Sequence, residues 1–235
     1  MKEKLKLVIM LGGLNTGGAE RVAVSYGNYL VEKKKNIDVV MILFNRNKSL
    51  FNLNKKIRVI EVLGISQNPI SNYFFRKKEL KRIFAFEKPD IIFTFFEKMT
   101  FYALKSKNPA AKLISSERAN IHYRNFIRKL FCYYTSRKCD GFIFQTNSAK
   151  SSYSKKVQKN SIVIPNAVSI YSDASCQKKN IISAMGRLTW QKGFDILIKA
   201  FSVFYKENKS YVLNIYGEGK DREMLQNLIN DLGLE

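Results

Sequence analysis

Cysteine is scarce and unpatterned: Cys132, Cys139 and Cys176 are an odd number, and none stands in a C-x-x-C pair. With His122 as the single histidine there is no His-rich cluster, so neither a disulfide framework nor a metal site is expected. No apolar run approaches the ~20 residues a helix needs to cross a bilayer. A chain that meets a membrane without such a run lies on its surface. Met1–Lys4 leads straight into the strand-like run Leu5–Leu11, whose apolar stretch is too short, and too soon followed by glycines, for a signal peptide. The expectation is a chain that stays in the cytosol, peripheral on the inner face of the plasma membrane.

Acidic residues are also few. Against 19 Asp plus Glu stand 41 Lys plus Arg, a formal charge of +22. Part of that excess accompanies a general richness in Lys, Asn, Ile and Phe that codon composition alone produces. The remainder points to anionic partners: nucleic acid, an acidic membrane surface, or the diphosphates of small substrates. The cations are spread along the chain, and no helix-turn-helix, zinc-finger or aromatic RNA-binding pattern accompanies them, so a nucleic-acid module is the remote alternative.

With 46% apolar residues in 235, the chain has enough to build one large core or two modest ones. Continuous apolar runs of strand length recur at 5–11, 37–44, 57–62, 90–95, 112–115, 141–144 and 161–164. Such runs suit strands buried on both faces. Helix-like stretches at 19–33, 70–86, 121–138 and 148–156 lie between them, and the alternation predicts an α/β fold with a doubly wound parallel sheet. The pattern pauses at Pro165-Asn166-Ala167, and 171–179 is small, polar and Ser-rich. The expected organisation is a first domain over 1–168, a connection over 169–179 and a second domain over 180–235. In the second, strands at 180–185 and 211–216 alternate with helices at 194–206 and 222–232. Two strands and two helices cannot cover both faces of a parallel sheet, so this domain is expected to be incomplete.

Three glycine-bearing turns carry candidate chemistry. Gly12-Gly13-Leu14-Asn15-Thr16-Gly17-Gly18-Ala19-Glu20-Arg21 follows the first strand and opens the first helix, where backbone amides face a phosphate readily. It is not G-x-G-x-x-G and lacks a Gly-Lys-Ser/Thr ending, so the ordinary nicotinamide and P-loop readings lose support, with a ligand-free turn as the plain alternative. The segment Met185-Gly186-Arg187-Leu188-Thr189-Trp190-Gln191-Lys192-Gly193-Phe194-Asp195 again joins strand to helix. There Arg187 can fork two bonds to a diphosphate, Lys192 adds a mobile charge, and the helix start contributes its partial positive charge. Its alternative is a solvated basic loop. Gly217-Glu218-Gly219 follows the next strand and leaves room for a nucleotide base beside the backbone.

Taken in order, Gly17-Gly18-Ala19-Glu20-Arg21, Ile164-Pro165-Asn166-Ala167-Val168, Gly186-Arg187-Leu188 with Lys192-Gly193-Phe194-Asp195, and Gly217-Glu218-Gly219 resemble the series found in family 4 glycosyltransferases. The resemblance runs along essentially the whole chain. It implies two Rossmann-like domains of the GT-B type, an amino-terminal one for the acceptor and a carboxy-terminal one for the donor. It implies retaining transfer of a hexose from a nucleoside diphosphate sugar, UDP- or GDP-linked, with no cofactor and no structural metal. By the same resemblance Arg187 and Lys192 hold the donor diphosphate, Gly17 and Gly18 lie near it across a cleft, and Gly217, Glu218 and Gly219 are close to the nucleotide. Ser115-Ser116-Glu117-Arg118 resembles a segment of members that build bacterial surface glycans, including lipopolysaccharide. It makes Glu117 a group that orients an acceptor hydroxyl and Arg118 a group that meets an anion; a surface ion pair is the alternative for both. His122 is the nearby candidate base; a partly exposed residue in a basic, helix-like stretch is its plainer alternative. The paired glutamates that the family places late in its second domain are absent, so the chain is expected to be carboxy-terminally truncated, and an inactive fragment or split subunit stands as the alternative to an enzyme.

Acceptors in this group include polyprenyl-diphosphate-linked sugars and glycans, which places the reaction at a membrane surface. The stretches 77–82 and 123–134 interleave cations with aromatics at helical spacing, a pattern that rests on anionic headgroups. Ordinary packing with solvated cations is the competing explanation.

Overall fold

The computed structural model describes residues 4–14, 17–46, 51–118, 121, 124–167 and 179–234. Its contacts divide the chain into two compact units, 1–169 and 170–235. The expected connection at 169–179 lies almost wholly outside the described residues.

The first unit runs β1 (Leu5–Leu11), α1 (Gly18–Lys33), β2 (Ile37–Leu43), β3 (Arg58–Glu61), α2 (Pro69–Glu87), β4 (Ile91–Phe95), α3 (Phe96–Ser106), β5 (Lys112–Ser116), α4 (Phe126–Ser136), β6 (Gly141–Phe144), α5 (Asn147–Ser151), α6 (Lys155–Lys159) and β7 (Ser161–Val163). The strands form one sheet in the order β3-β2-β1-β4-β5-β6-β7, every pair parallel. Apolar side chains alternate between its faces. Leu7, Ile9 and Leu11 of β1 join Val39, Met41 and Leu43 of β2 in a core under α1. Val8, Met10, Val40 and Ile42 enter a second core with Leu80 and Phe84 of α2 and Met99 and Tyr102 of α3. Both faces are covered, which is why the strands read as unbroken apolar runs.

The chain winds outward from β1 through β2 to β3, then returns beside β1 and winds the other way from β4. The reversal opens a crevice at the carboxyl ends of β1 and β4, the place where open α/β sheets bind ligands. At the opposite edge Glu87, the last residue of α2, is buried and takes Arg58 Nη1 at 2.7 Å and Lys6 Nζ at 3.0 Å. That carboxylate ties α2 to the amino ends of β1 and β3.

Helix boundaries follow their caps. The Asn68 side chain accepts from the backbone N–H groups of Ile70 and Ser71, with Pro69 following it, so α2 starts there. The Asn125 side chain accepts from Arg128 N–H at 2.9 Å, so α4 begins at Phe126 and not at 121 as the apolar pattern predicts. The helix expected over 148–156 is two short ones, α5 and α6, with Tyr153 buried between them.

The second unit contains β8 (Ile181–Met185), a 3₁₀ turn (Trp190–Lys192), α7 (Phe194–Tyr205), β9 (Val212–Tyr216) and α8 (Arg222–Asp231). β8 and β9 pair in parallel. One face of this sheet packs on Leu188, Phe194, Ile198 and Leu225. On the other, Ile181, Met185, Val212 and Tyr216 are exposed.

Candidate functional site

In the second unit the β8–α7 turn carries Arg187 and Lys192, both exposed. Neither forms an ion pair or a side-chain hydrogen bond among the described residues. The backbone explains their placement. Lys192 N–H bonds to Thr189 O at 2.9 Å and closes the 3₁₀ turn, and Gly193 then takes φ +65° to enter α7, a left-handed conformation that glycine adopts without strain. The Lys192 stem lies over Gly186, where a Cβ would meet Lys192 Cδ and Cε at 3.6 Å. The first turn of α7 has no side-chain cap, so its N–H groups add positive potential to that of the two cations.

Gly217 and Gly219 have a different explanation from the one sequence suggests. Gly186 N–H donates to Tyr216 O at 3.0 Å, Leu188 N–H to Glu218 O at 2.9 Å, and Asp221 N–H to Leu188 O at 3.1 Å. The two turns therefore run against each other backbone to backbone. A Cβ on Gly217 would collide with Gly186 O, and one on Gly219 would lie 2.7 Å from Leu188 C. Close packing against the Arg187 turn is what requires these glycines. Glu218 points away and pairs with Arg222 one helical turn on.

In the first unit Gly17 caps α1 at φ −81° and Gly18 is its first residue. Neither backbone conformation demands glycine. A Cβ at Gly18 would meet nothing within 4 Å, while one at Gly17 would press on the Glu20 carboxylate, a flexible group able to turn aside. Packing does not account for this pair. What the two glycines do is leave the start of α1, at the carboxyl end of β1, bare for close approach.

Of the Ser115–Arg118 segment, the serines are structural. Ser115 Oγ lies 2.7 Å from Thr100 Oγ1, which lies 2.8 Å from Thr94 Oγ1, so a buried hydroxyl chain joins β4, α3 and β5. Ser116 Oγ donates to Ile143 O of β6. Glu117 is buried and faces inward. Arg124 donates Nη2 to Glu117 Oε1 at 2.8 Å and Nη1 to Glu97 Oε1 at 2.6 Å, the three side chains being 8% exposed or less. The Cys132 thiol points to Glu117 Oε2 at 3.8 Å. Burial tends to lower the pKa of Arg124, but the carboxylates of Glu117 and Glu97 outweigh it and raise it. Burial, with Glu117 beside it, pushes the Cys132 thiol up to about 12. Glu97, Glu117 and Cys132 do bring ligand-type atoms within 4.8 Å of one another. With the guanidinium already on both carboxylates and the thiol held protonated, this is an ion-pair cluster and not a metal cage.

Glu97 and Arg124 carry no sequence signal: one lies in an aromatic run, the other in a basic one. Beside them Phe96 stands at φ +67°, a strained conformation for a bulky residue, at the carboxyl end of β4. Arg118 turns outward from Glu117. Its Nη1 donates to Asn166 Oδ1 at 2.5 Å, and Gln145 Nε2 donates to the same oxygen at 2.9 Å. Asn166 of the Pro-Asn-Ala segment thus locks that loop to β5 and β6. His122 lies outside the described residues, as do Asn15 and Thr16.

Helices α2, α3 and α4 share one sheet face, linked by ring contacts of Tyr73 with Phe101 at 5.8 Å and Phe101 with Phe131 at 4.9 Å. Early in α2 and α4, Ile70, Phe74, Phe126, Ile127 and Leu130 are exposed next to Lys77, Lys78, Arg128 and Lys129. No helix among the described residues is long and apolar enough to cross a membrane.

Known proteins are similar to this chain along nearly its whole length. A Haemophilus influenzae protein described as an uncharacterized glycosyltransferase is 28% identical over 99% of this chain and 67% of its own length. The Campylobacter jejuni GalNAc-alpha-(1->4)-GalNAc-alpha-(1->3)-diNAcBac-PP-undecaprenol alpha-1,4-N-acetyl-D-galactosaminyltransferase is 25% identical over 98% of this chain and 66% of its own length. The chain therefore spans about two thirds of the curated relatives it matches. Among solved structures, Anabaena HepE in complex with UDP and glucose superposes with a TM-score of 0.76 at 14% identity, covering 98% of this chain and 67% of that one, a likeness of GT-B fold. Residues 172–235 match Glycosyl transferases group 1. With residues 16–170 matching Glycosyltransferase Family 4, the chain belongs to that family.

Proposed function

We propose that this chain provides the acceptor side and the diphosphate-gripping part of the donor side of a retaining glycosyltransferase, which moves a hexose from a UDP- or GDP-linked sugar to a polyprenyl-diphosphate-linked or glycan acceptor in bacterial surface polysaccharide assembly. The observation that carries this reading is the pair of partnerless cations, Arg187 and Lys192, on a strand-to-helix turn braced by a second glycine turn. As the sugar–phosphate bond breaks, charge builds on the departing diphosphate. A guanidinium and an ammonium carried on a braced turn, together with the α7 amino-terminus, stabilise that charge. Front-face attack by the acceptor hydroxyl hands its proton to the leaving phosphate, so the reaction needs no side-chain base. The bare glycines of α1 leave its first backbone N–H groups open to an anionic group of a substrate.

On the acceptor side, the apolar side chains early in α2 and α4, ringed by lysine and arginine, rest on anionic headgroups and bring the crevice of the first unit to a lipid-linked acceptor. Cosedimentation with phosphatidylglycerol vesicles, lost in a Phe126→Ser/Ile127→Ser double variant, checks this placement; equal binding by both proteins refutes it.

Calorimetric titration with UDP tests the donor side. Charge-assisted hydrogen bonds contribute about 1.5–3 kcal/mol each, so Arg187→Ala and Lys192→Ala should each weaken UDP about 10- to 150-fold. Unchanged UDP affinity in both variants removes the donor role from this turn.

A further inference from the structure

The buried carboxylates of the first unit, Glu87, Glu97 and Glu117, each hold a cation. Among the described residues Arg118 is a cation with no acid. Its Nε is buried without a hydrogen-bond partner, its carbon Cζ lies 5.3 Å above the Phe95 ring, and its single side-chain bond among the described residues goes to a neutral amide, Asn166. Glu117, its chain neighbour, is turned to Arg124. Half-burying a guanidinium without a counter-charge is unfavourable, and burial accordingly lowers its pKa.

Arg118 also lines a cavity of about 150 Å³ at the carboxyl ends of β5 and β6, together with Gln145, Thr146, Ser148, Ser152 and Tyr153. Gln145 and Ser152 donate to Asn166 Oδ1 and Ser148 O, whereas three other hydroxyls of the lining have a proton to give. Thr146 Oγ1 accepts from Ala149 N–H and keeps its own proton to give. The Ser148 hydroxyl makes no hydrogen bond among the described residues, and the Tyr153 hydroxyl is buried with no partner. The one acid in the lining, Glu117, is already ion-paired with Arg124.

We propose that this cavity is a binding site for a compact anion, a phosphate or a carboxylate, which supplies the counter-charge to Arg118. Assigning that anion to the acceptor rests on the transferase reading; the binding itself does not. The site lies beside the crevice and within the first unit, and its recognition is of charge and shape: a guanidinium edge with hydroxyl donors around it.

The test uses the whole chain labelled with ¹⁵N and follows the Arg118 Nε–H and Gln145 side-chain amide resonances. Sodium phosphate is titrated in one arm and sodium glucuronate in the other, against sodium chloride at matched ionic strength. A saturable shift of both resonances in either arm is expected, and the arm that responds identifies phosphate or carboxylate as the anion. Arg118→Gln should abolish the response of Gln145. Ser148→Glu, at an exposed position, sets a like charge at the mouth and should weaken the anion by about tenfold or more, which keeps the test decisive should the arginine variant not fold. No shift in either arm, an equal shift with chloride, or a response unchanged in Ser148→Glu overturns the proposal. UDP calorimetry on the unaltered chain reports the donor turn independently, so failure of one site leaves the other standing.

Discussion

Replacing Arg124 by Met should destabilise the first unit more than any other single charge change. The guanidinium is 8% exposed and sits between Glu97 and Glu117, which are 6% and 5% exposed. Methionine fills much of the volume but leaves two carboxylates in low dielectric with no cation between them; Arg128, 3.6 Å from Glu97 and 65% exposed, only partly replaces it. Removing one partner of a buried pair destabilises by roughly 3–5 kcal/mol. At roughly 2–4 °C per kcal/mol for a unit of this size, Tm should fall by about 6–20 °C. The deficit should also depend on pH in a defined sense. Stranded buried carboxylates have folded-state pKa values above their unfolded ones, so they penalise the folded state at neutral pH and cease to do so once protonated. The gap between wild type and variant, read by urea unfolding, should therefore be wide at pH 7.5 and narrow as the pH falls toward 5. The triple variant Glu97→Gln/Arg124→Met/Glu117→Gln should recover a large part of the loss. A single-variant deficit below about 1 kcal/mol, the range of an exposed pair, or a gap that does not change with pH, would refute the buried-cluster account.

Two further substitutions read other parts of the fold. Glu87 is held down at about 2, first by the Arg58 hydrogen bond and then by Lys6, against burial. A depressed carboxylate stabilises above its unfolded value and loses that effect as pH falls through the folded one, so wild type should exceed Glu87→Gln in stability above about pH 5 and converge with it between there and pH 2; parallel curves in acid unfolding would refute the staple. Gly217→Ala places a methyl into Gly186 O and should lower the thermal stability of the second unit and its UDP affinity together, whereas Gly18→Ala, with open space around it, should leave stability within about 0.5 kcal/mol and affect only ligand binding.

Much of the architecture is legible because its cause is periodic. Strands covered on both faces appear as unbroken apolar runs, and β1, β2, β4 and β6 lie within a residue of where those runs predict. Helix α3 is not legible in the same way. The chain passes from Phe95 to Phe96 with no capping side chain and no turn residue, and the change of direction is made by an aromatic residue at positive φ. An aromatic string, Phe93 to Phe96, hides the boundary, although the buried series Met99, Tyr102, Ala103 and Ser106 keeps helical spacing. The late start of α4 has the opposite character: Asn125 is a readable cap, and the apolar residues before it extend the helical pattern past the true start.

The site separates along the same line between local and non-local cause. Glycines mark close approach without saying of what. At Gly217 and Gly219 the approaching group is the protein's own backbone at Gly186 and Leu188, whereas at Gly17 it is only the flexible Glu20 carboxylate and at Gly18 nothing in the described chain lies within 4 Å, so equal-looking motifs have unequal grounds for a ligand. Charge behaves likewise. A composition of +22 makes every cation look alike, yet Arg58 and Arg124 are consumed by Glu87, Glu97 and Glu117, residues 20 or more positions away or hidden beside a serine pair. Only the paired acids decide which cations are left over. Those left at the carboxyl ends of strands, Arg118 in one unit and Arg187 with Lys192 in the other, are where an anionic substrate gains most, because no protein carboxylate has to be displaced to receive it.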